Sequence, residues 1–219
     1  MNELKTSELF DCNVPYLKDF FADYDYPWEM LPDIKGFIQN LITNGIEGFT
    51  LYKENVLIGK NVKIADFVTI EGPTVIGHNT EIRPGAFIRG SVITGSDCVI
   101  GNSTELKNCV LLDKVQVPHY NYVGDSVLGN HAHMGAGSIC SNLKADGKPV
   151  VIHGETEIST GLRKIGGILA DNADIGCGCV LNPGTVIGKN TSVYPLTSVR
   201  GVIGSDCIVK SMQNIIKRK

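Results

Sequence analysis

The chain has 219 residues, which is enough for one or two domains with a sizeable core. Its formal net charge is −3, and it lacks the basic face that nucleic-acid-binding proteins usually present. No run approaches the ~18 apolar residues of a membrane span, and the N-terminus has no signal-peptide pattern. We therefore expect no nucleic-acid partner and no membrane association.

The first 50 residues contain helical patterns. Counting from Ile34, apolar residues stand at i, i+3, i+4, i+7 and i+8 within residues 33–42, which predicts an amphipathic helix. Pro32 suits its first turn and Gly45 its end. Residues 16–21 favour a second, short helix. We interpret residues 1–50 as a helical N-terminal cap.

Trp28, the only tryptophan in the chain, lies in an aromatic stretch at residues 24–32. Two interpretations are open for this stretch. It could be a surface on which a partner docks, or it could shield the open first coil of a repeat structure, as solenoids require. We favour the shielding role.

Branched aliphatic residues then recur every six positions. The run consists of Ile58, Ile64, Ile70, Ile76, Ile82 and Ile88, and it continues in Thr94, Ile100 and Leu106. Smaller residues stand four positions after each of these. A helix requires a period of 3.6 and a plain strand a period of 2, so neither explains six. Hexapeptide repeats are the signature of a parallel β-helix.

The repeat is interrupted once. Residues 141–167 are polar, contain glycine and lack the period, and the six-residue register returns at Leu169. We expect an inserted loop there, with a strand pair near residues 150–152, because long excursions of this kind usually carry function. The predicted fold class is all-β: a β-helix domain at residues 51–219, with little periodicity after residue 203.

The seven cysteines do not predict disulfides. Cys98 and Cys179 fall on small inward positions, where a free cysteine packs as a small hydrophobic residue. Reduced thiols are typical of cytoplasmic proteins, so we expect a cytoplasmic location.

Any site on such a fold must lie on its outer surface or between subunits, because side chains fill the interior. Arg83 and Lys107 could hold a phosphate through charge-assisted hydrogen bonds. His119 is a candidate base, since its unperturbed pKa of ~6.5 allows it to accept a proton near neutral pH. His131 and His133 could form a metal pair, but zinc would need further ligands, and we expect no metal.

A longer motif surrounds His119. Residues 114–125, which contain H-x-x-Y-x-G-D, and residues 134–138 resemble the acetyltransferase domain of the bifunctional enzymes that make UDP-N-acetylglucosamine. Arg83-Pro84-Gly85-Ala86 and Glu105-Leu106-Lys107 also match, and residues 163–166 and 182–184 resemble the archaeal-type members. The resemblance covers most of residues 58–200. It implies a left-handed β-helix, assembled as a homotrimer with sites between subunits.

The resemblance also implies roles for individual residues. His119 would be the general base that takes a proton from an amino sugar, and Arg83 and Lys107 would hold its phosphate. Tyr122 would contact the sugar, and Lys148, or else Lys144, would occupy a further phosphate-side position. The acetyl-CoA side would include Ala136 and Asn142. The family's second sugar-contacting asparagine aligns with His133.

We therefore expect an N-acetyltransferase that uses acetyl-CoA and an amino-sugar 1-phosphate, first of all glucosamine 1-phosphate, in UDP-N-acetylglucosamine biosynthesis. Residues 1–57 contain no glycine-rich nucleotide loop, so we expect no nucleotidyltransferase activity. One alternative is a non-catalytic β-helix trimer that binds or regulates a nucleotidyltransferase. A second alternative is acetyl transfer to another amine or to a hydroxyl.

Overall fold

The structure is a computed structural model that describes residues 2–218. Most of it is a parallel β-helix, in which each short strand pairs with the equivalent strand of the next coil. Ile58 pairs with Ile76 in this way, and Ile82 pairs with Ile100. The pairings form one 14-stranded sheet and one nine-stranded sheet. The predicted fold class, an all-β left-handed parallel β-helix with a short helical N-terminal segment, is confirmed.

The strands line three faces of a prism. Face 1 contains β2 (Val56–Ile58), β5 (Thr74–Ile76), β8 (Val92–Thr94), β17 (Gly167–Leu169), β20 (Thr185–Ile187) and β23 (Val202–Ile203), with β1 (Thr50–Lys53) antiparallel at its edge. Face 2 contains β3 (Lys63–Ile64), β6 (Glu81–Ile82), β9 (Val99–Asn102), β11 (Gln116–His119), β13 (His133–Met134), β18 (Asp174–Ile175), β21 (Ser192–Val193), β24 (Cys207–Ser211) and β25 (Asn214–Lys217). Face 3 contains β4 (Thr69–Glu71), β7 (Phe87–Arg89), β14 (Ile139–Cys140), β19 (Val180–Leu181) and β22 (Ser198–Val199).

Two longer strands cross from face 3 to face 1. β10 (Glu105–Leu111) pairs with β7 through its first two residues and with β8 through its last three. β12 (Tyr122–Leu128) pairs with β14 through its start and with β17 through its end. These crossings join the two faces into the 14-stranded sheet.

The six-residue register places the large residues inside. Ile70, Ile76, Ile82 and Ile88 are at most 3% exposed, and the later large positions from Ile100 to Val199 are buried as well. The register predicts that all six isoleucines from Ile58 to Ile88 are buried in the core, and this prediction is wrong for Ile58 and Ile64, which are half-buried. Both belong to the first coil, and no further coil of the described residues 2–218 stacks below it.

Polar side chains form clusters at the three corners of the prism. The asparagine corner, between faces 1 and 2, contains a ladder of left-handed turn residues in which Asn61 donates to Asn79 and Asn79 to Asp97. The histidine corner, between faces 2 and 3, is the column Pro84, Asn102, His119, Ala136, Cys177 and Pro195. The insertion corner, between faces 3 and 1, contains Lys107, Asn108, Asp125 and the two ends of the inserted loop.

The N-terminal segment contains α1 (Thr6–Leu9), α2 (Lys18–Ala22), α3 (Ile34–Asn44) and two 3-10 turns, Asn2–Leu4 and Pro27–Met30. The amphipathic helix predicted at residues 33–42 corresponds to α3, and Gly45 ends it with a positive φ of 74°. α3 contacts β8 and β10, and the segment buries outward residues of face 1 such as Ile93 and Val110. The segment therefore covers face 1 of the prism. This position differs from the expected one, in which the segment shields the open first coil.

Trp28 is only 2% exposed and stacks on Tyr26, with ring centroids 4.8 Å apart. It belongs to the cluster of buried residues between the N-terminal segment and face 1. A tryptophan buried in this way offers no side chain to a partner, so Trp28 does not supply the docking surface considered above.

A buried carboxylate fixes the segment to the prism. Asp171 accepts hydrogen bonds from the backbone N–H groups of Asp11, at 2.8 Å, and Asn130, at 2.7 Å. Lys189 lies 3.0 Å from the Asp11 carboxylate on the outer side of this contact. Backbone and side chain thus hold the segment in one position on the prism.

The inserted loop leaves after β14 and returns at β17. It forms one antiparallel hairpin, β15 (Val151–His153) with β16 (Glu157–Ser159), as expected near residues 150–152. Beyond residue 203 the repeat continues one coil further than expected, because Val209 of β24 is fully buried. β25 then pairs antiparallel with β24 and covers that end of face 2.

Cys98 and Cys179 point inward and are buried, and all seven cysteines are free. Burial raises the pKa of Cys98 to about 12, so this thiol stays protonated at neutral pH. Over residues 2–218, no helix has both the length and the apolar character needed to cross a membrane.

The buried register predicts how stability responds to substitution. Ile88→Ala leaves a cavity between two stacked coils and should reduce the free energy of unfolding by about 2–5 kcal/mol, measured by urea denaturation. The matched control is Ile215→Ala on β25, where the side chain is 43% exposed. Equal losses for both variants would contradict the inward orientation of Ile88.

Candidate functional site

His119 stands in a column of equivalent turn positions at the histidine corner. It pairs with Asn102 of the preceding coil in the parallel register, and its carbonyl accepts the N–H of Gly137, next to Ala136 of the following coil. Neighbouring parallel strands lie about 4.8 Å apart, so these three positions are close neighbours. Both His119 and Ala136 are exposed.

A buried amide shapes this corner. Asn121 is 2% exposed, and its Oδ1 accepts the His119 backbone N–H at 3.0 Å. Its Nδ2 donates to the carbonyl of Gly135 at 2.8 Å. Asn121 therefore joins the turn of His119 to the turn of Ala136, a role that our sequence analysis missed because Asn121 carries no chemistry of its own.

Arg83 lies at the same corner, two coils before His119. Its Nε is 3.0 Å from Glu81 Oε1, and the two side chains are 32% and 47% exposed. An exposed ion pair of this kind contributes at most ~1 kcal/mol. The guanidinium can therefore exchange this partner for a phosphate at little cost.

Asp125 is the centre of the insertion corner. Its carboxylate is buried and lies 3.2 Å from Lys107 Nζ through each of its two oxygens. The Asn108 side chain donates to it at 2.9 Å, and the Asn142 side chain donates to it as well. A buried carboxylate needs such partners, because burying an unpaired charge is very unfavourable.

Lys107 therefore has a structural partner that the motif alone did not reveal. Its ammonium compensates Asp125, and only 27% of its side chain is exposed. Binding a phosphate would require Lys107 to serve two anions. The Asp of H-x-x-Y-x-G-D was the available signal, and our sequence analysis assigned it no role.

Tyr122 belongs to the same network. Its hydroxyl oxygen accepts a hydrogen bond from Asn142 Nδ2 at 3.1 Å, which leaves the O–H free to donate. Burial, reinforced by the nearby carboxylates of Asp125 and Glu105, raises the pKa of Tyr122 above its ordinary value. The hydroxyl thus remains a donor throughout the neutral range.

The N-terminal segment reaches this network through one contact. Asn108 Nδ2 donates to the Leu31 carbonyl at 3.2 Å as well as to Asp125. A pocket of about 460 Å³ lies beside this contact, between Pro32 and the returning end of the loop at residues 162–164. The segment thereby supports the insertion corner from one side.

The remaining predicted residues lie apart from these two clusters. His133 is on face 2, where its Nδ1 is 2.8 Å from Asp174. Lys148 is exposed in the inserted loop, and Lys144 pairs with Asp146 at 3.4 Å. One chain brings Lys107, Tyr122 and Asn142 together, and it places Arg83, His119 and Ala136 at a different corner.

Comparisons with known proteins agree with this architecture. The family description "GMPPB C-terminal domain" matches residues 70–162. YaiX of Escherichia coli (strain K12), named as an uncharacterized acetyltransferase, is 33% identical over 190 residues, covering 77% of this chain and 80% of YaiX. The chain belongs to the hexapeptide-repeat acetyltransferases. The prediction of an acyltransferase is confirmed at this level.

Two longer relatives are similar to most of the chain. The bifunctional protein GlmU of Methanococcus vannielii is 31% identical, covering 88% of this chain and 45% of GlmU. The bifunctional sugar-1-phosphate nucleotidylyltransferase/acetyltransferase of Sulfurisphaera tokodaii is 31% identical, covering 84% of this chain and 47% of that protein. This hexapeptide-repeat chain thus spans about half the length of the bifunctional relatives that it matches.

The pairing of Lys107 with Asp125 predicts a stability effect. Lys107→Ala removes the one cation that is paired with the buried Asp125 carboxylate within residues 2–218, and it should reduce the free energy of unfolding by about 1–3 kcal/mol. The second change Asp125→Asn removes the stranded charge and should recover part of this loss. Urea denaturation of the two variants and the wild type measures both effects.

The control is Lys35→Ala on the exposed side of α3, which should change stability by no more than ~0.5 kcal/mol. If Lys107→Ala were as stable as the wild type, the ion pair would have no structural role.

Proposed function

We propose that the chain transfers an acetyl group from acetyl-CoA to the amine of an amino-sugar 1-phosphate, with glucosamine 1-phosphate as the first candidate, in UDP-N-acetylglucosamine biosynthesis. The observation that carries this proposal is His119, exposed on an outer corner within the H-x-x-Y-x-G-D motif. The sugar-1-phosphate nucleotidylyltransferase/acetyltransferase among the relatives supports the substrate class. The free cysteines support a cytoplasmic location.

The reaction requires a base. An ammonium group has no lone pair, so the sugar amine must first lose one proton to solvent before it attacks the thioester carbonyl. As the new C–N bond forms, the nitrogen becomes positively charged, and His119 would accept a second proton from it. The C–S bond then breaks, and the proton passes to the departing thiolate. No covalent enzyme intermediate is needed, because a positioned base and a stabilised oxyanion suffice.

A residue on the acetyl-CoA side could donate a hydrogen bond to the oxyanion that forms during the reaction. The backbone N–H of Ala136 has no hydrogen-bond partner within residues 2–218, and Ala136 follows His119 by one coil. A free backbone N–H beside the base is the type of donor that stabilises a developing oxyanion. Asn142 is assigned to the same acetyl-CoA side.

The residues proposed to bind the sugar phosphate lie at both the histidine corner and the insertion corner. Arg83 would bind the phosphate with charge-assisted hydrogen bonds, and Tyr122 would donate its hydroxyl to the sugar. Lys107, Lys148 and His133 stay assigned to this side. Because Lys107→Ala also strands Asp125, Arg83→Ala is the cleaner variant for measuring phosphate binding.

A trimer would bring the clusters together. The distance between two corners of the prism is several residues of extended chain at ~3.3 Å each, so one small substrate cannot easily contact both corners of one chain. A neighbouring copy could place its insertion corner against the histidine corner. We therefore propose a homotrimer with sites between subunits.

The first test concerns the base. His119→Ala should reduce turnover about 10²–10⁴-fold, because it removes the general base. The residual rate should rise with pH, since a larger fraction of the amine is then neutral. Free-thiol release from acetyl-CoA with glucosamine 1-phosphate measures the rate from about pH 6 to about pH 9.

The control is His131→Ala, an exposed histidine at the asparagine corner, which should change the rate far less. Near-normal turnover of His119→Ala across this range would show that His119 is not the base. No thiol release by the wild type with any amino-sugar phosphate would favour the non-catalytic alternative.

The second test concerns assembly. His119→Ala and Asn142→Ala should each be nearly inactive alone. When the two variants are co-assembled, about a quarter of the sites should combine both wild-type residues if these come from different subunits. Light scattering gives the oligomeric state of the mixture. Mixed trimers without recovered activity, or a fully active monomer, would contradict a shared site.

A further inference from the structure

Asn102 occupies an unusual position beside the proposed base. Its side-chain Oδ1 is buried and has no hydrogen-bond partner within residues 2–218. An unsatisfied buried acceptor costs about 1–3 kcal/mol and is rare in native proteins. Such an atom therefore calls for a donor that reaches it in the working enzyme.

The nearest equivalent position holds such a donor. Asn102 ends β9, His119 ends β11, and the two residues are register partners in adjacent parallel strands. The Tyr120 N–H, next to His119, also donates to the Asn102 carbonyl at 2.8 Å. Equivalent positions on adjacent strands are about 4.8 Å apart, which places the imidazole within reach of the amide.

His119 lacks the partner that most histidines of this chain have. The rings of His133 and His153 each have a carboxylate 2.8–2.9 Å from Nδ1, and His78 Nδ1 accepts a backbone N–H at 2.7 Å. In the part of the chain that the structure describes, the ring of His119 has no hydrogen bond. An unpaired acceptor and an unpaired ring thus stand side by side.

We infer that Asn102 is a positioning residue, whose side-chain carbonyl accepts a hydrogen bond from one ring nitrogen of His119 and turns the other nitrogen toward the substrate amine. This inference rests on the proposed role of His119. A neutral imidazole donates through one nitrogen and accepts through the other, so an acceptor on one side determines which nitrogen is basic. When His119 takes the substrate proton, the same carbonyl stabilises the imidazolium.

The effect on protonation has a definite sign. An acceptor that bonds the imidazolium favours the protonated form, so its loss should disfavour proton uptake by the base. Other titratable or charged groups lie on the elements around this corner: Glu105 and Tyr122 on face 3, Arg83 with Glu81 two coils below, and Cys177 beyond Ala136. They are unchanged in the variants below, so differences between variants report on Asn102.

Three variants test the inference with acetyl-CoA and glucosamine 1-phosphate. Asn102→Leu should lower kcat about 10-fold to 100-fold while KM changes little, a loss of the size found when the orienting partner of a metal-bound histidine is removed. The acidic limb of its pH–rate profile and the NMR titration of the His119 ring should both move to lower pH. Asn102→Asp should move both to higher pH and retain more activity than Asn102→Leu. The control, Asn172→Ala at the asparagine corner, should change neither.

The NMR titration requires no turnover and therefore separates this inference from the proposed function. If His119→Ala is inactive while both Asn102 variants keep the wild-type kcat and ring titration, Asn102 does not position the base. If His119→Ala retains full turnover, the proposed role of His119 fails and this inference fails with it. The melting temperatures of the variants show whether any loss reflects unfolding.

Discussion

The register between stacked coils is the constraint on which the rest of this structure depends. Each coil repeats its inward residues above those of the previous coil, and the same repeat places each corner residue above its equivalent. Residues that are 17 or 18 positions apart in the chain consequently touch. Asn108 and Asn142 each lie 17 positions from Asp125, and Lys107 lies 18 positions from it. The polar clusters thus result from the same periodicity that places the apolar residues in the core.

The six-residue period was sufficient to predict the fold class, because only an extended chain with regular corners can direct both sets of positions inward. The period also identified the residues at the two core positions. It could not show what lies on the outside. Outward residues of face 1 such as Val75, Ile93 and Val127 are fully buried, and their apolar character was the unused signal for a covering layer. The N-terminal helix was predictable from its own pattern, but its place on face 1 was not.

The sequence predicted which residues belong to the candidate site, but it did not predict how they are arranged. The motif around His119 identified the residues, but the contacts of Asp125 with Lys107, Asn108 and Asn142 join three coils and the start of the inserted loop. Such contacts depend on how the turns of successive coils stack and on which side the loop leaves, neither of which appears in a linear motif. The same network reaches Leu31 through Asn108. The N-terminal segment, which lies outside the repeat in sequence, therefore helps to hold the insertion corner in place.

The insertion corner and the histidine corner differ in how completely their polar groups are hydrogen-bonded. At the insertion corner the polar groups satisfy one another: a buried carboxylate bonded by a cation and two amides is rigid, because moving any member exposes an unpaired group to a poorly solvated environment. At the histidine corner, the His119 ring and the Ala136 N–H have no hydrogen-bond partner within residues 2–218, and Asn102 Oδ1 is buried without one. Besides water, partners for these groups can come from side-chain rotation, from substrate or from a second copy of the chain. Under the proposed function, the histidine corner would carry the chemistry, and the insertion corner would present a fixed geometry to a neighbouring copy.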